Sequence, residues 1–291
     1  MEYFLYWGCA LEAGDKHYLV SIEPVAEVLG IHFREIEDWN CCGASIGYIG
    51  GNELSGEILA ARNLALAESQ GHFDIVAPCS SCYVVLNKVN RELQANPAHL
   101  AKVNSILAVG NLNYKGSLKV RHIQDVLIND VGVDKIKAAV KHPLTGVKVA
   151  GYVGCQTVRP YGEYDSVEKP VVMDKLLEAL GAEVVQFDSK MVCCGSGIFF
   201  TEQALGFQQV DKILTDIEKN GGQIVSTACP MCQMNLEVYQ KKVNEALGSN
   251  HCLPIVFITQ LMAVAFGLHP NKAAALNHNI IPAAPVLLGG H

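Results

Sequence analysis

The sequence lacks the signals of several common protein classes. The longest apolar stretch, around residues 253–268, is interrupted by Thr259 and Gln260, and a membrane-spanning helix needs about 20 apolar residues. The first residues, Met1 to Trp7, contain neither the basic segment nor the small-residue cleavage site of a signal peptide. We therefore expect a cytoplasmic protein with no membrane span.

Basic charge is also scarce. The 22 Lys and Arg residues are outnumbered by 29 Asp and Glu residues, which gives a formal net charge of −7. Nucleic-acid recognition usually needs a basic face, so we expect no nucleic-acid partner. A small anionic substrate would still need local cations, and the candidates lie near the predicted ligand loops: Arg34, Arg121, Arg159 and Lys190.

Two common cofactor motifs are missing as well. No Gly-x-Gly-x-x-Gly segment follows an apolar run, which argues against a flavin or nicotinamide site. The Cys-x-x-Cys-x-x-Cys run of ferredoxins is absent too. If the chain performs redox chemistry, its electrons must come from another polypeptide.

What the sequence does contain is a repeated pattern of cysteines. Ten of the eleven cysteines form two copies of a lone Cys, then Cys-Cys-Gly, then Cys-x-x-Cys. Cytosolic thiols stay reduced and more often bind metal than form disulfides, and chance burial has no reason to repeat this order. We predict two metal centres, with Cys9, Cys41, Cys42, Cys79 and Cys82 as the first set of ligands and Cys155, Cys193, Cys194, Cys229 and Cys232 as the second. Cys252 belongs to neither set and is expected to be an ordinary thiol.

Each set has one cysteine more than a conventional centre uses. A cubane [4Fe–4S] cluster and a structural zinc ion each take four thiolates. The surplus arises at the Cys-Cys doublet, whose two side chains reach one centre only if the chain turns there. Gly43 and Gly195, directly after the doublets, permit such a turn.

Short apolar runs precede the lone cysteines and the Cys-x-x-Cys pairs. The runs at residues 3–7, 73–77, 147–153 and 224–227 are predicted strands, and they alternate with helical patterns. Such alternation indicates an α/β fold with a mostly parallel sheet flanked by helices in each half. Ligands bind beyond the carboxyl ends of such strands, so the cysteines of each set are expected to converge.

The duplication predicts two domains. It continues past the cysteines, where residues 122–127 match residues 257–262 as a strand end that leads into a helix. A break in the pattern near residues 141–146 divides the chain into residues 1–143 and residues 144–291. The second domain ends in an apolar tail from residue 269 onward, which we expect to pack on the protein's own surface or on a partner.

The duplicated cysteine pattern is similar to that of the cysteine-rich CCG domain family, and in a chain of this length it resembles the B subunit of heterodisulfide reductase from methanogenic archaea. The resemblance implies two tandem, pseudo-symmetric CCG domains, each with one noncubane [4Fe–4S] cluster held by all five cysteines of its set. It implies an oxidoreductase that reduces the disulfide of coenzyme M and coenzyme B to two thiols in methanogenesis. The two clusters themselves, and no protein side chain, would be catalytic.

The resemblance also implies partners and leaves alternatives open. The implied partners are two other subunits of heterodisulfide reductase, the ferredoxin-like C subunit and the flavin-containing A subunit, often joined to a hydrogenase. Similar patterns occur in iron–sulfur proteins that resemble those of glycolate or lactate oxidation and of quinone reductases, which is the alternative function. Two further alternatives are a non-enzymatic protein with two structural zinc sites and an electron-transfer module with one cubane in each half.

Overall fold

Two parallel four-stranded sheets form the framework of the molecule, one in each half. A computed structural model describes residues 1–45 and 51–289, apart from the side chain of Phe200. The first sheet has the order β2-β1-β3-β4 and the second has the equivalent order β6-β5-β7-β8. The strands are β1 (Glu2–Leu5), β2 (His32–Glu35), β3 (Ile75–Ala77), β4 (Val120–His122), β5 (Lys148–Gly151), β6 (Glu183–Val185), β7 (Ile224–Thr227) and β8 (Ile255–Phe257). The predicted α/β fold with two parallel sheets is confirmed.

Helices cover the sheets and connect their strands. In the first half they are α1 (Gly8–Ala13), α2 (Lys16–Leu29), α3 (Glu53–Gln70), α4 (Ser80–Ala95), α5 (Pro97–Leu107), α6 (Ile123–Asp125), which continues as a π-helix over Val126–Val131, and α7 (Val133–Ala139). In the second half they are α8 (Val172–Ala179), α9 (Gln203–Lys219), α10 (Pro230–Val238), α11 (Gln240–Leu247), α12 (Ile258–Ala265) and α13 (Ala284–Leu288). Of the helices described, none is both long and apolar enough to cross a membrane.

The two halves exchange segments. Helix α2 of the first half packs against α12 of the second, and Ser21 and Thr259 share a buried hydrogen bond of 2.6 Å there. In the opposite direction, residues 156–164 of the second half bond to the first turns of α4. We call these two contacts the α2 crossing and the 156–164 crossing. In both halves, the exchanged segment follows the lone cysteine of its set.

The apolar core is shared in the same way. Each of the two clusters of buried apolar side chains contains residues from both halves. Tail residues Ala274, Leu276, Ala283 and Leu287 are buried in one of these clusters. The boundary at residue 143 falls in the connection between α7 and β5, and it stays a prediction.

Candidate metal centres

The cysteines of the first set lie around the carboxyl ends of β1 and β3. Cys9 lies in the first turn of α1, which follows β1. Cys79 precedes α4 as its N-cap, and Cys82 lies in the first turn of that helix, which follows β3. Because the carboxyl ends of neighbouring parallel strands meet at one edge of a sheet, the topology brings these side chains together.

The second set repeats this placement. Cys155 follows β5, Cys229 is the N-cap of α10, and Cys232 lies in the first turn of that helix, after β7. In both sets the doublet lies in the loop that precedes a long helix, which is α3 in the first half and α9 in the second. The two sets therefore occupy equivalent places on equivalent sheets.

Sulfur-to-sulfur contacts join the five cysteines of each set into one chain. In the first set, the Sγ atoms of Cys9 and Cys41 are 3.8 Å apart. Hydrogen bonds then connect Cys41 to Cys42, Cys42 to Cys82, and Cys82 to Cys79. The second set has the same order, Cys155, Cys193, Cys194, Cys232 and Cys229.

The two chains of sulfurs meet. Cys79 and Cys229, the last members of their sets, hydrogen-bond to each other, and both are buried. The backbone N–H of Ser80, from the first half, also donates to the sulfur of Cys229 in the second half. The predicted convergence within each set thus extends to contact between the sets.

The first cysteine of each doublet is half-buried and has a lowered pKa. Hydrogen bonds from Cys42 and Cys9, together with the backbone N–H of Gly43, lower the pKa of the Cys41 thiol to about 2. Hydrogen bonds from both cysteine neighbours likewise lower the pKa of Cys193 to about 2. Donors that stabilise a thiolate also stabilise thiolate ligands of a metal, so these loops are suited to bind metal through their cysteines.

Glycines allow the close approach of these sulfurs. Gly43 and Gly195 have positive φ angles of 88° and 84°, so the predicted turns after the doublets are confirmed. A Cβ atom at Gly8 would lie 3.0 Å from the Sγ of Cys82, and one at Gly154 would lie 3.2 Å from the equivalent sulfur. A side chain at either position would occupy the space beside the ligands.

Two tyrosines position the doublets. Tyr6 and Tyr152 are buried, and each lies three residues before the lone cysteine of its set. The Tyr6 hydroxyl donates to the carbonyl of Asn40 at 2.6 Å, and the Tyr152 hydroxyl donates to the carbonyl of Val192 at 2.5 Å. Each carbonyl belongs to the residue directly before a doublet. The repeated Tyr-x-Gly-Cys segment is the sequence signal of this shared role.

The four candidate cations are each held by a local partner. Arg34 forms an exposed pair, whereas Lys190 forms a buried one. The contacts are Arg34 to Glu2 at 3.2 Å, Arg121 to Asp125 at 2.6 Å and to Asp130 at 2.5 Å, Lys190 to Asp174 at 2.5 Å, and Arg159 to the carbonyl of Val167 at 2.9 Å. The carboxylates compensate much of the charge of Arg34, Arg121 and Lys190, whereas Arg159 contacts a neutral carbonyl.

The donor set fits a cluster better than a single ion. Within residues 1–45 and 51–289, no three His, Cys, Asp or Glu side chains are arranged to hold one metal ion. A structural zinc ion requires four donors that converge at about 2.0–2.3 Å. Five sulfurs per set exceed the four donors of such a site, and iron–sulfur clusters use thiolates spread over several metal atoms.

Comparison with known proteins identifies the family. Residues 3–87 and 149–237 each match the CCG cysteine-rich domain. The chain is 35% identical to the 8-methylmenaquinol:fumarate reductase membrane anchor subunit of Wolinella succinogenes, over 97% of this chain and 98% of that protein. It is 32% identical to a protein of Archaeoglobus profundus that is described as like the B subunit of heterodisulfide reductase, over 95% of this chain and 94% of the relative.

Two further similarities agree with this. The B subunit of the Ferredoxin/F(420)H(2)-dependent CoB-CoM heterodisulfide reductase of Methanosarcina acetivorans is 33% identical over 80% of this chain and 78% of its own length. A crystal structure of a hypothetical protein from Helicobacter pylori superposes with a TM-score of 0.77 at 16% sequence identity. It covers 97% of this chain, which spans 52% of that structure's chain, and it supports the fold alone.

The predicted partner set was wrong. The sequence resemblance implied the C and A subunits of heterodisulfide reductase as partners, yet a relative that matches over almost its full length is the membrane anchor subunit of an 8-methylmenaquinol:fumarate reductase. The physical reason is that the cysteine pattern specifies the cofactor site but not the surface residues that bind partner proteins.

The relatives and the cysteine sets together indicate an iron–sulfur protein with a redox role. Family membership was predicted from the cysteine pattern and is confirmed by the two domain matches. The chain belongs to the cysteine-rich CCG domain family, and within it is similar to the B subunit of heterodisulfide reductase.

Proposed function

We propose that each cysteine set holds one noncubane [4Fe–4S] cluster and that the chain is a redox protein that exchanges electron pairs with its substrate. The observation that carries this proposal is the contact between Cys79 and Cys229, which joins the two sets. When bound, two neighbouring clusters supply one electron each. A protein with this arrangement suits substrates that change by two electrons.

The ten cysteines would be the ligands, five to a cluster. Each sulfur contacts at least one other member of its set, which supports five ligands over four. Backbone N–H groups share the negative charge of the thiolates: that of Gly195 donates to Cys193 at 3.4 Å, and that of Ser80 donates to Cys229. Such bonds reduce the cost of gathering five anionic sulfurs in a partly buried site.

Two substrate classes fit a two-electron redox protein. Reduction of a quinone, or oxidation of a quinol, is favoured by similarity to the fumarate reductase protein. The paired cations also favour it, because a quinone carries no charge for Arg121 or Lys190 to neutralise. Cleavage of the disulfide between coenzyme M and coenzyme B is the second candidate, and it is supported by the relatives named as B subunits of CoB-CoM heterodisulfide reductases.

Metal analysis tests the cluster proposal. We expect anaerobically purified protein to contain about eight irons and about eight sulfides per chain, four of each per cluster, and no stoichiometric zinc. Two zinc ions without iron would overturn the proposal. About eight irons with a cubane spectrum, unchanged after Cys42→Ala, would overturn the five-ligand arrangement while leaving a redox role.

Turnover assays then separate the two substrates. A reduced viologen dye would serve as the electron donor, with a short-chain menaquinone analogue or the coenzyme disulfide as the acceptor. Oxidation of the dye by the quinone analogue alone would favour the quinone function. Oxidation by the disulfide alone would favour thiol formation, which consumes two electrons and two protons for each disulfide.

A further inference from the structure

His122 lies at a strand end that has a structural equivalent at the other crossing, but the two strand ends carry different side chains. It is the last residue of β4, is fully buried, and stacks on Tyr164 of the 156–164 crossing, with ring centroids 5.9 Å apart and planes inclined by 5°. At the α2 crossing, the last residue of β8 is Phe257, and it stacks on Tyr18 at 3.8 Å. Of the two equivalent strand ends, only the one with His122 carries a titratable ring.

A hydrogen-bonded row of two hydroxyl groups, those of Ser80 and Thr157, extends from His122. The Nε2 atom of His122 is 3.4 Å from the Oγ of Ser80, which is 2.7 Å from the Oγ1 of Thr157. Thr157 donates its own proton to the carbonyl of Val153 at 2.5 Å. Ser80 must therefore donate to Thr157, and the proton of the neutral imidazole lies on Nε2 and points at Ser80.

This row ends where the two cysteine sets meet. Ser80 directly follows Cys79, and its backbone N–H donates to the sulfur of Cys229. Thr157 lies two residues after Cys155 and bonds across from the other half. The imidazole is thus linked to both sets through neutral groups, without being a ligand itself.

The other ring nitrogen can accept a second proton without leaving an unpaired donor. The Tyr164 hydroxyl lies 3.1 Å from Nδ1 of His122, 3.2 Å from Oε1 of Gln124 and 3.3 Å from the carbonyl of Thr157. It donates to Nδ1 when the histidine is neutral. When Nδ1 is protonated, the hydroxyl oxygen accepts that proton and its own hydrogen turns to Gln124 or Thr157. The Gln124 N–H, 3.4 Å from Nδ1, loses only a long contact.

The charged and titratable groups that face the ring are few. Burial lowers the pKa of His122 to about 4, whereas the nearby charges of Cys229 and Asp125, and a hydrogen bond to the backbone carbonyl of Pro78, raise it. Asp125 is itself held by Arg121 at 2.6 Å. Tyr83 of α4 presents its ring edge to the imidazole at a centroid distance of 5.5 Å. Added negative charge at the cysteine sets is thus the change to which this histidine would respond most.

We infer that His122 is the proton-accepting partner of the cysteine-bound centres: a solvent proton binds Nδ1 when a neighbouring centre gains an electron and leaves when that electron leaves. This inference rests on the proposed clusters. The step balances, because one electron from an external donor and one proton from solvent enter together and no covalent bond in the protein breaks. It would supply a proton close to a substrate that needs one for each electron.

The test is a mediated redox titration of the anaerobic full-length protein, followed by electron paramagnetic resonance from about pH 6 to about pH 9, where a histidine beside added charge titrates. We expect the midpoint potential of at least one centre to fall with pH, by up to about 59 mV per unit for one proton and one electron. In His122→Phe, which copies the residue of the α2 crossing, the potential should be independent of pH.

His17→Phe is the matched control. His17 is also buried and lies 5.1 Å from the ring of Phe257, but its Nε2 has no hydrogen-bond partner among the described residues. This variant should keep the pH dependence of the unsubstituted protein. If both variants lost it equally, a general change in packing would explain the effect and the inference would fail.

The outcomes separate this inference from the proposed clusters. Iron well below about eight per chain in the unsubstituted protein would overturn the clusters, and the inference with them. Full iron with a potential that is independent of pH, or a slope that His122→Phe leaves unchanged, would overturn the inference alone. If His122→Phe loses iron, Tyr164→Phe takes its place. Loss of the hydroxyl should then move the titrating range to lower pH, and an unchanged profile would reject the role of His122.

Discussion

The α2 crossing and the 156–164 crossing occupy related positions, yet different kinds of side-chain interaction hold them in place. The α2 crossing is mainly apolar: Tyr18, Ile22 and Leu29 are buried in the shared core, and the Ser21–Thr259 bond is its polar centre. The 156–164 crossing is a hydrogen-bonded network, in which Ser81 donates to Gln156 at 2.6 Å and Arg91 pairs with Glu163 at 2.5 Å.

This difference shows which features the duplication preserves. The sheets, the order of sulfur contacts and the glycines beside the sulfurs repeat because the geometry of the two sites requires them. The segments that join the halves do not contact the site in the same way, so they have diverged. An apolar crossing gains stability from burial, whereas a polar one can hold and orient protons.

The largest expected effect tests whether the two sites are independent. Cys42→Ala should abolish the cluster of the first set and Cys194→Ala that of the second, so each should lower iron from about eight to about four per chain. The reason is that each sulfur lies in the middle of its chain, between the other doublet cysteine and the Cys-x-x-Cys pair. Iron analysis and electron paramagnetic resonance check this, and loss of all iron in either variant would mean that the sites assemble together.

Acid should destabilise the α2 crossing through His17. Burial lowers its pKa to about 4 in the folded protein, from 6.5 in the unfolded chain, so the unfolded state binds the proton more readily. Stability is therefore lost as the pH falls from about 6.5 towards about 4, by up to about 3 kcal/mol at 1.36 kcal/mol per pKa unit. Urea unfolding at several pH values should show a smaller loss for His17→Phe, and an equal loss would reject this assignment.

Two serine variants compare the crossings directly. Ser21→Ala leaves the fully buried hydroxyl of Thr259 without this partner and should cost about 1–3 kcal/mol of unfolding free energy. Ser81→Ala removes a bond to Gln156, whose half-buried side chain can turn to water, so the cost should stay below about 1 kcal/mol. Equal unfolding midpoints for the two variants would contradict the proposed contrast between the crossings.

The smallest expected effect concerns the cysteine outside both sets. Cys252 is exposed and belongs to neither chain of sulfurs. Cys252→Ala should leave the iron content unchanged and alter the unfolding free energy by no more than about 0.5 kcal/mol, as is usual for surface positions. Loss of iron in this variant would show that Cys252 has been wrongly excluded.

The sequence predicted the parts of the fold that carry a local signal. Strands β1, β3, β5 and β7 were visible as apolar runs because they are central and buried. The edge strands β2 and β6 were missed, since they are short, β2 is largely exposed and β6 is only partly buried, so neither stands out as a long apolar run. The doublets' turns were predicted from single glycines, because a positive φ has few other sources.

The site was harder to predict beyond its ten cysteines, whose role as ligands stays a prediction. The contact between the sets depends on how the halves pack, and no local pattern encodes that. Arg121 and Lys190 lie near the ligand loops in sequence, yet each is paired with an acidic residue. The repeat places His122 at a strand end, but its stacking on Tyr164 could not be predicted because it requires a segment from the other half.

The exchange of segments also determines when the site can mature in the cell. During translation, α2 emerges long before α12, and the Ser80 N–H emerges long before the sulfur of Cys229 that it contacts. The first half therefore leaves the ribosome with an apolar helix uncovered and half of a joint site. The contact between the two sets cannot form until Cys229 has been synthesised, so completion of the joint site is a late event even if the first set is filled earlier.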